Sequence, residues 1–440
     1  MHVKWNIRKV NKGTEIISFS CPVEEIKEVI EELTIPSSVD GEKITKISSE
    51  IAYSFDSWRD LGVTRIKKVV VEKGIEKIDC RTFSEIEIDI DNFYWTDTCE
   101  VIPYRCFCGS NIFSIEGIES VKSIETEAFS YSKLIRIKWP SQCCSIPPFC
   151  FVQSGLKEIT GTKNIEEIGQ SAFLHTNLES FKWPYKCFSI PENCFACSNL
   201  SKIDGIEKVK EIGKGAFSKT KLKNVIWPTA CKVIPGCCFW GTPIETITNI
   251  NNVNDIGGSA FASTQITQFD WPAKCPVIPR ECFCGTPLKE IRGIEQVEKI
   301  ENHAFKETAL KGFIWPSQCK VIPTSCFQDT PLERIHGTEQ VEEIKNDAFK
   351  NTELREFIWP ANVDAKKCRF LGKCSQLKKI TFSKCGMRDI DLYQFQSMCQ
   401  KQNLVVDVSC AAIVNFINDS SVYEKIKDNI KLPYYVLGKI

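Results

Sequence analysis

The sequence is dominated by an internal repeat of 22 residues. Phenylalanine recurs at that interval from Phe107 to Phe349, and tryptophan recurs every 44 residues from Trp95 to Trp359. No insertion or deletion interrupts the register between Trp95 and Trp359. A unit of this size cannot bury its own apolar side chains, so it must stack on copies of itself. The sequence therefore predicts a repeat solenoid in which 22-residue repeats alternate in 44-residue pairs.

The two alternating repeats share one apolar skeleton. One type reads C-x-x-I-P-x-x-C-F-x-x-x-x-L-x-x-I-x-G, as in Cys319–Gly337, and the other reads V-x-x-I-x-x-x-A-F-x-x-T-x-L-x-x-F-x-W-P, as in Val341–Pro360. Neither holds a helical period for ten residues, so long helices are not expected. We expect the L-x-x-I segments to pair as parallel strands, with the Ala-Phe or Cys-Phe turn returning the chain. The result is a β-rich curved array with a core of stacked Phe, Ile and Leu.

The skeleton resembles the leucine-rich repeats of the BspA-like (Treponema pallidum-type) family. The matching runs include Ile168–Phe173 and Ile212–Phe217, and Leu33–Ile47 is similar to an opening repeat of that family. The resemblance covers roughly residues 30–410, although the repeat length, the Trp-Pro pair and the recurring cysteines depart from the family pattern. It implies a leucine-rich-repeat array that acts in adhesion or protein interaction, often at a cell surface. It supplies no catalytic motif.

The ends of the array are expected to cap its core. We predict an N-terminal cap over 1–40, a leucine-rich-repeat array over 41–382 that is regular from 95 to 360, and a C-terminal cap over 383–440. Within the first cap, Val23–Leu33 is predicted to form a short helix or strand. Degenerate repeats are expected around Phe55 and Phe83, and helical spacing near 411–426 suggests a helix in the C-terminal cap.

Tryptophan and cysteine each form ladders along the repeats. Each Trp position carries Gly in the other repeat type, or Asn at Asn249, and this alternation predicts buried indoles that spread over small neighbours. An exposed aromatic ladder is the alternative. The cysteine ladders are Cys99, Cys143, Cys187, Cys231, Cys275 and Cys319, and Cys106, Cys150, Cys194, Cys238, Cys282 and Cys326. Buried thiols, disulfides in an oxidising compartment and zinc ligands are all open, although only Cys194-x-x-Cys197 has the spacing of a zinc knuckle.

Composition narrows the function. The 440 residues contain 56 Lys and Arg against 56 Asp and Glu, so the formal net charge is zero and a nucleic-acid partner is not expected. Four histidines and the absence of nucleotide-binding, zinc-protease or serine-hydrolase motifs predict no enzyme, no cofactor and no metal. No apolar run approaches the length of a transmembrane segment. No signal-peptide core is visible, which predicts a cytoplasmic protein, with the cell surface by an unconventional route as the alternative.

These observations and the resemblance predict a non-catalytic, monomeric scaffold that binds one or more proteins, with adhesion or host/cell interaction as a possible role. The alternative is a structural or coat protein that assembles with itself. Outward positions of the strands should bind, because core positions hardly change between repeats while these vary. The predicted contact residues are Ile226, Arg292, Ile314, His336 and Ile358. Alternatively, the isoleucines among them pack against neighbouring strands.

Overall fold

The computed structural model describes residues 2–11, 13–360, 362–363, 368–371, 374–382, 405–408 and 430–431. The chain divides into two compact units, Met1–Lys223 and Asn224–Ile440. Both are built from turns of a β-solenoid at about 22-residue spacing, which confirms the predicted fold class. The helical spacing noted near 411–426 lies outside the described residues.

Each regular repeat contributes two short strands separated by a turn. The longer strand of a Trp-containing repeat pairs in parallel and in register with that of the repeat that follows, as Ile137 does with Ile159 and Phe313 with Ile335. Its two-residue strand pairs in the same way with that of the preceding repeat, as Ile124 does with Ile102. The longer strands are Arg136–Lys138, Glu158–Thr160, Ser180–Lys182, Lys202–Asp204, Asn224–Ile226, Thr246–Thr248, Gln268–Asp270, Glu290–Arg292, Gly312–Ile314, Arg334–His336 and Glu356–Trp359. The two-residue strands are Val101–Ile102, Ser123–Ile124, Ser145–Ile146, Glu167–Ile168, Ser189–Ile190, Glu211–Ile212, Val233–Ile234, Asp255–Ile256, Val277–Ile278, Lys299–Ile300, Val321–Ile322 and Glu343–Ile344.

The recurring phenylalanine lies at the centre of a turn whose backbone is fixed on both sides. In the turn around Phe195, Asn193 and Cys197 have φ values of 52° and 58°, and the same two positions are left-handed in the other regular repeats. The amide of Phe195 donates to the carbonyl of Ala216 at 2.9 Å, which links one turn to the next. The ring stacks on that of Phe173 at 5.3 Å with an interplanar angle of 7°. Hydrogen bonds and stacked rings thus hold the turns at the spacing that the strands require.

A buried hydroxyl three residues after the phenylalanine closes this turn. Thr176 donates to the carbonyl of Phe173 at 2.9 Å, and Thr330 donates to that of Phe327 at 2.7 Å. The hydroxyl satisfies a carbonyl that would otherwise be buried without a partner, which is costly. This role accounts for the Thr or Ser in the A-F-x-x-T part of the repeat.

The Trp-Pro-x-x-Cys motif forms a second turn, in which the indole is buried as predicted. Trp315 is 2% exposed and its Nε1 donates to the carbonyl of Cys319 at 2.9 Å. The amide of Cys319 in turn donates to the carbonyl of Pro316 at 3.1 Å. The indole also meets the ring of Phe327 edge-on at 6.2 Å. A single side chain therefore fills the core and ties both ends of the turn.

The glycine that alternates with tryptophan has a conformational role. Gly337 is left-handed, with φ of 75°, and a Cβ added there would lie 2.8 Å from the carbonyl oxygen of Trp315. The left-handed backbone and the nearby carbonyl oxygen therefore disfavour most side chains at this position. Asn249 stands at the equivalent place with φ of 65°, and its Nδ2 donates to the carbonyl of Trp227 at 2.7 Å. The structure therefore gives the small residue a conformational reason that the alternation of residue sizes did not reveal.

Both cysteine ladders are buried, and their cysteines form no disulfide. Cys194 is fully buried, as are Ala172 and Ala216 at the same place in the adjacent repeats. Burial raises the pKa of the Cys194 thiol well above its usual value. In the other ladder, Cys143 donates to the carbonyl of Ser145 at 3.4 Å, and burial raises the pKa of Cys319 to about 12.

The first turns depart most from the regular pattern. Their strands are Lys4–Val10, Gly13–Ser20, Val29–Ile30, Leu33–Ile35, Ser38–Val39, Glu42–Ile47, Arg65–Val71, Lys77–Ile78, Asp89–Tyr94 and Ile115–Glu116, and the first two form an antiparallel hairpin. Val23–Leu33 is not one element, because it divides into the 3-10 turn Val23–Glu25, strand Val29–Ile30 and the start of strand Leu33–Ile35. Phe55 lies in the α-helix Ala52–Asp60, not in a turn, and packs edge-on against Phe19 at 5.1 Å.

The remaining elements are short. Single 3-10 turns cover Ser49–Ile51, Thr162–Asn164 and Cys368–Leu371. A parallel sheet joins Glu356–Trp359 to Lys379–Phe382, Val405–Val408 and Ile430–Lys431. Among the described residues, the structure contains no helix that is long and apolar enough to cross a membrane.

Candidate binding face

The longer strands of the unit Asn224–Ile440 expose one face to solvent, which we call the strand face. In each three-residue strand from Asn224–Ile226 to Arg334–His336, the middle residue is buried or half-buried and the two outer residues are exposed. Side chains alternate along a strand, so the first and third residues form two parallel columns. This agrees with the prediction that the x residues of L-x-x-I-x point away from the core.

The five predicted contact residues all lie in the third column, and all are exposed. Ile226 and Ile314 are each 72% exposed and Ile358 is 45% exposed, so packing against neighbouring strands does not account for them. In the strand register Ile314 lies beside His336. The column therefore offers apolar surface next to an imidazole, with charged groups nearby.

Three of these residues line one groove. Arg292, Ile314 and His336 border an open groove of about 1110 Å³ that spans three consecutive strands. Ile226 and Ile358 lie in the same column but do not line that groove. The structure thus brings together the central part of the predicted patch and leaves its two ends apart.

Charges around the groove are partly paired within the chain. The Nε of Arg292 lies 2.9 Å from Oδ1 of Asp270 and 3.8 Å from Oε1 of Glu290. The Oε2 of Glu333 forms an ion pair with Nη2 of Arg355 at 3.1 Å. Arg334 lines the groove and has no ion pair within the described part of the chain. The groove therefore carries both signs of charge, which suits a protein surface better than a uniformly charged ligand.

Gly312 opens the middle of the groove and was missed in the sequence. An added Cβ would meet nothing within 4 Å, and φ is not in the left-handed range. Each of the other described glycines has either a left-handed φ or an atom within 4 Å of such a Cβ. Neither backbone nor packing thus requires glycine at 312. The available signal is that the other first-column residues from Asn224 to Glu356 are polar or charged, whereas this one has no side chain.

Reactive groups elsewhere do not assemble into a metal site. No group of three or more His, Cys, Asp or Glu in the described ranges could hold a metal ion. His303 has a buried Nδ1 without a hydrogen-bond partner, and burial lowers its pKa. Nearby, Ser259 donates to Glu281 at 3.0 Å. The Nδ1 of His303 forms a hydrogen bond with neither of them.

Comparison with known proteins identifies the repeat. A sequence profile of the BspA type leucine rich repeat region matches residues 76–198, 122–245, 188–311 and 298–424. No curated protein matches the chain.

Solved structures of leucine-rich repeat and surface proteins are similar to this chain. A leucine-rich repeat protein from Bacteroides ovatus is similar over 86% of this chain and 92% of that chain, with a TM-score of 0.63 and 20% identity. A leucine rich cell surface protein from Faecalibacterium prausnitzii is similar over 87% and 94%, with a TM-score of 0.40 and 16% identity. The pneumococcal vaccine antigen PcpA is similar over 98% and 95%, with a TM-score of 0.40 and 16% identity. The first of these similarities establishes a shared fold.

Proposed function

The chain belongs to the family of BspA-type leucine-rich repeat proteins, and from this premise we propose that it is a protein-binding scaffold whose strand face contacts its partner. The observation that carries the proposal is the groove lined by Arg292, Ile314 and His336. Core positions serve the stacking of the turns, whereas these exposed side chains have no structural task that the fold requires. A repeat scaffold with variable outward residues on a constant core is suited to recognition.

The character of the face supports a protein partner. Exposed isoleucine, histidine and charges of both signs match the mixed apolar and polar surface of protein interfaces. A net charge of zero gives no long-range attraction to a polyanion. Adhesion to another cell's protein is one form that such binding could take, and the same face would serve it.

The test is the triple variant Ile314→Asp, His336→Ala, Ile358→Asp. Partners are captured by cross-linking and pull-down from the source cell with the wild-type and the variant chain. We expect the variant to remain folded by circular dichroism and to lose its partners, since charge replaces apolar contact. Retention of every partner by a folded variant refutes the strand face as the binding site.

A matched control changes an exposed apolar residue away from that face. Val233 lies in a two-residue strand and is 41% exposed, close to the 45% of Ile358. Val233→Asp should leave partner capture unchanged. Light scattering over a concentration series separates the scaffold from the alternative of an open-ended structural assembly, because only the assembly continues to grow with concentration.

The buried cysteines support a second proposal, that the protein acts in a reducing compartment. The ladder thiols fill core positions that alanine occupies in alternate repeats. Counting free thiols in denatured protein isolated without reductant tests this. Nearly all 24 thiols should be free; few free thiols would indicate disulfides and an oxidising compartment instead.

A further inference from the structure

The strand Gly312–Ile314 places a hole and a knob on the same face, two residues apart. Ile314 is 72% exposed, and the space above Gly312 is open to at least 4 Å from an ideal Cβ. The two positions are about 7 Å apart along the strand. A projecting side chain beside an open space is self-complementary if a second identical strand runs in the opposite direction over the first.

We propose that a second copy of this chain docks on the strand face about a twofold axis that runs along the column of strands, above their middle residues. This rests on the proposed function, because it names an occupant for the same face. Such an axis reverses strand direction but keeps the order of the turns. The first residue of each strand then faces the third residue of the same strand in the second copy.

The side chains of three consecutive strands fit this arrangement. Ile314 of the second copy enters the space above Gly312, and the reverse contact forms by symmetry. One turn earlier, Glu290 faces Arg292 of the second copy, which gives two symmetric pairs of opposite charge. One turn later, Arg334 faces the imidazole of His336. At these turns no carboxylate faces a carboxylate and no guanidinium faces a guanidinium.

A face-to-face twofold axis parallel to the strands, placed above Gly312–Ile314, also keeps the strands of the two copies aligned but fits poorly. It would oppose Gly312 to Gly312, which leaves a void, and Ile314 to Ile314, which collide. Of these two axes, shape therefore favours the one along the column. The contact covers only a few turns about 4.8 Å apart and is smaller than the roughly 800 Å² per partner of stable complexes. We accordingly expect a weak dimer that dissociates on dilution, which replaces the expectation of a monomer.

Sedimentation velocity of the purified full chain, from micromolar to millimolar concentration, tests the dimer directly. The wild type should show a reversible monomer–dimer equilibrium with no larger species. Gly312→Ile, which fills the hole, and Ile314→Gly, which removes the knob, should each raise the dissociation constant by about tenfold or more. The double variant Gly312→Ile, Ile314→Gly exchanges knob and hole and should restore the wild-type value.

Charge exchange gives an independent version of the same test. Glu290→Arg and Arg292→Glu should each weaken the dimer by about tenfold, because each opposes like charges, and the double variant should recover. Lys299→Glu, on a two-residue strand away from the face, is the control and should have no effect. Circular dichroism verifies that every variant is folded.

Three results would overturn the inference. A chain that is monomeric at every concentration has no such contact, and this leaves the proposed binding of other proteins intact. A dimer that is insensitive to the single changes uses another surface. A dimer that the single changes weaken and the double changes do not restore uses the strand face without this twofold axis, as a different occupant or geometry would.

Discussion

Replacing Gly337 tests why a small residue alternates with tryptophan. If the indole required space, asparagine would be worse than alanine because it is larger. If the left-handed backbone sets the requirement, asparagine should be better, since it tolerates that conformation and can donate to the tryptophan carbonyl as Asn249 does at 2.7 Å. The structure supports the second explanation, because the nearest atom to an added Cβ is the carbonyl oxygen of Trp315 at 2.8 Å.

The magnitudes follow from these contacts. Gly337→Ala should lower the free energy of unfolding by about 1–2 kcal/mol for the left-handed conformation, with a further cost for displacing the Trp315 carbonyl. Gly337→Asn should lower the free energy of unfolding by less, since the hydrogen bond of the asparagine contributes about 1 kcal/mol. Gly312→Ala is the matched control: with no contact and no left-handed φ, it should be neutral or stabilise by about 0.4–1 kcal/mol.

Urea denaturation followed by tryptophan fluorescence measures the order of the three variants. Long repeat arrays can unfold in more than one step, so hydrogen exchange of the Trp315 amide, which donates to the His336 carbonyl at 2.8 Å, gives a local reading of the same turn. An asparagine variant less stable than the alanine variant would refute the conformational explanation and favour packing of the indole.

Three further changes probe the core and the first turns. Cys194→Ala should cost about 1 kcal/mol or less, as Ala172 fills the same place, whereas Cys194→Ser should cost about 1–3 kcal/mol in urea denaturation, since it buries a hydroxyl. Burial lowers the pKa of His303, so the unfolded chain binds a proton at this histidine more readily than the folded chain does. The stability of the fold should therefore fall as the pH drops below about 6.5. His303→Asn should reduce that pH dependence, measured by denaturation at several pH values. Burial opposes ionisation of Glu15, but hydrogen bonds from Lys46 and Arg8 outweigh this effect and lower the pKa of Glu15. The contribution of the ionised Glu15 to stability therefore persists until the pH falls through that lowered pKa. Glu15→Gln should cost about 1–3 kcal/mol of stability at neutral pH, measured by thermal unfolding.

The period of the repeat made most of the fold predictable. One uninterrupted 22-residue register from Trp95 to Trp359 places equivalent residues in columns, so burial of Phe129, Trp139 or Cys194 follows from stacking alone. The BspA-like resemblance is confirmed by the sequence profile, which spans residues 76–424. Boundaries of the caps stay predictions.

What could not be predicted lies where local geometry departs from the columns. Phe55 is buried like the repeat phenylalanines but lies in a helix. The sequence did not reveal this, because the spacing before Trp95 is irregular and the 22-residue register no longer identifies the turns. The left-handed φ of Gly337 and the approach of the Trp315 carbonyl depend on coordinates that a pattern of residue sizes does not contain. The sequence alone does not distinguish Gly337, which the backbone conformation requires, from Gly312, which opens a groove.

This difference between glycines explains how an array so regular could still be specific. Stacking constrains the inward columns so tightly that they contribute little to the recognition of a partner. Ala172 and Cys194 occupy equivalent, fully buried places, so exchanging one residue for the other would leave the exposed surface unaltered. The outward columns have no such constraint, so a residue there can vary without cost to the fold. Gly312 is informative for that reason. Neither its backbone conformation nor its surroundings require glycine. The lack of a side chain there changes only the shape of the exposed face. Specificity in this chain should therefore reside in departures from the repeat on the strand face, and Gly312 with Ile314 is the sharpest of these in the unit Asn224–Ile440.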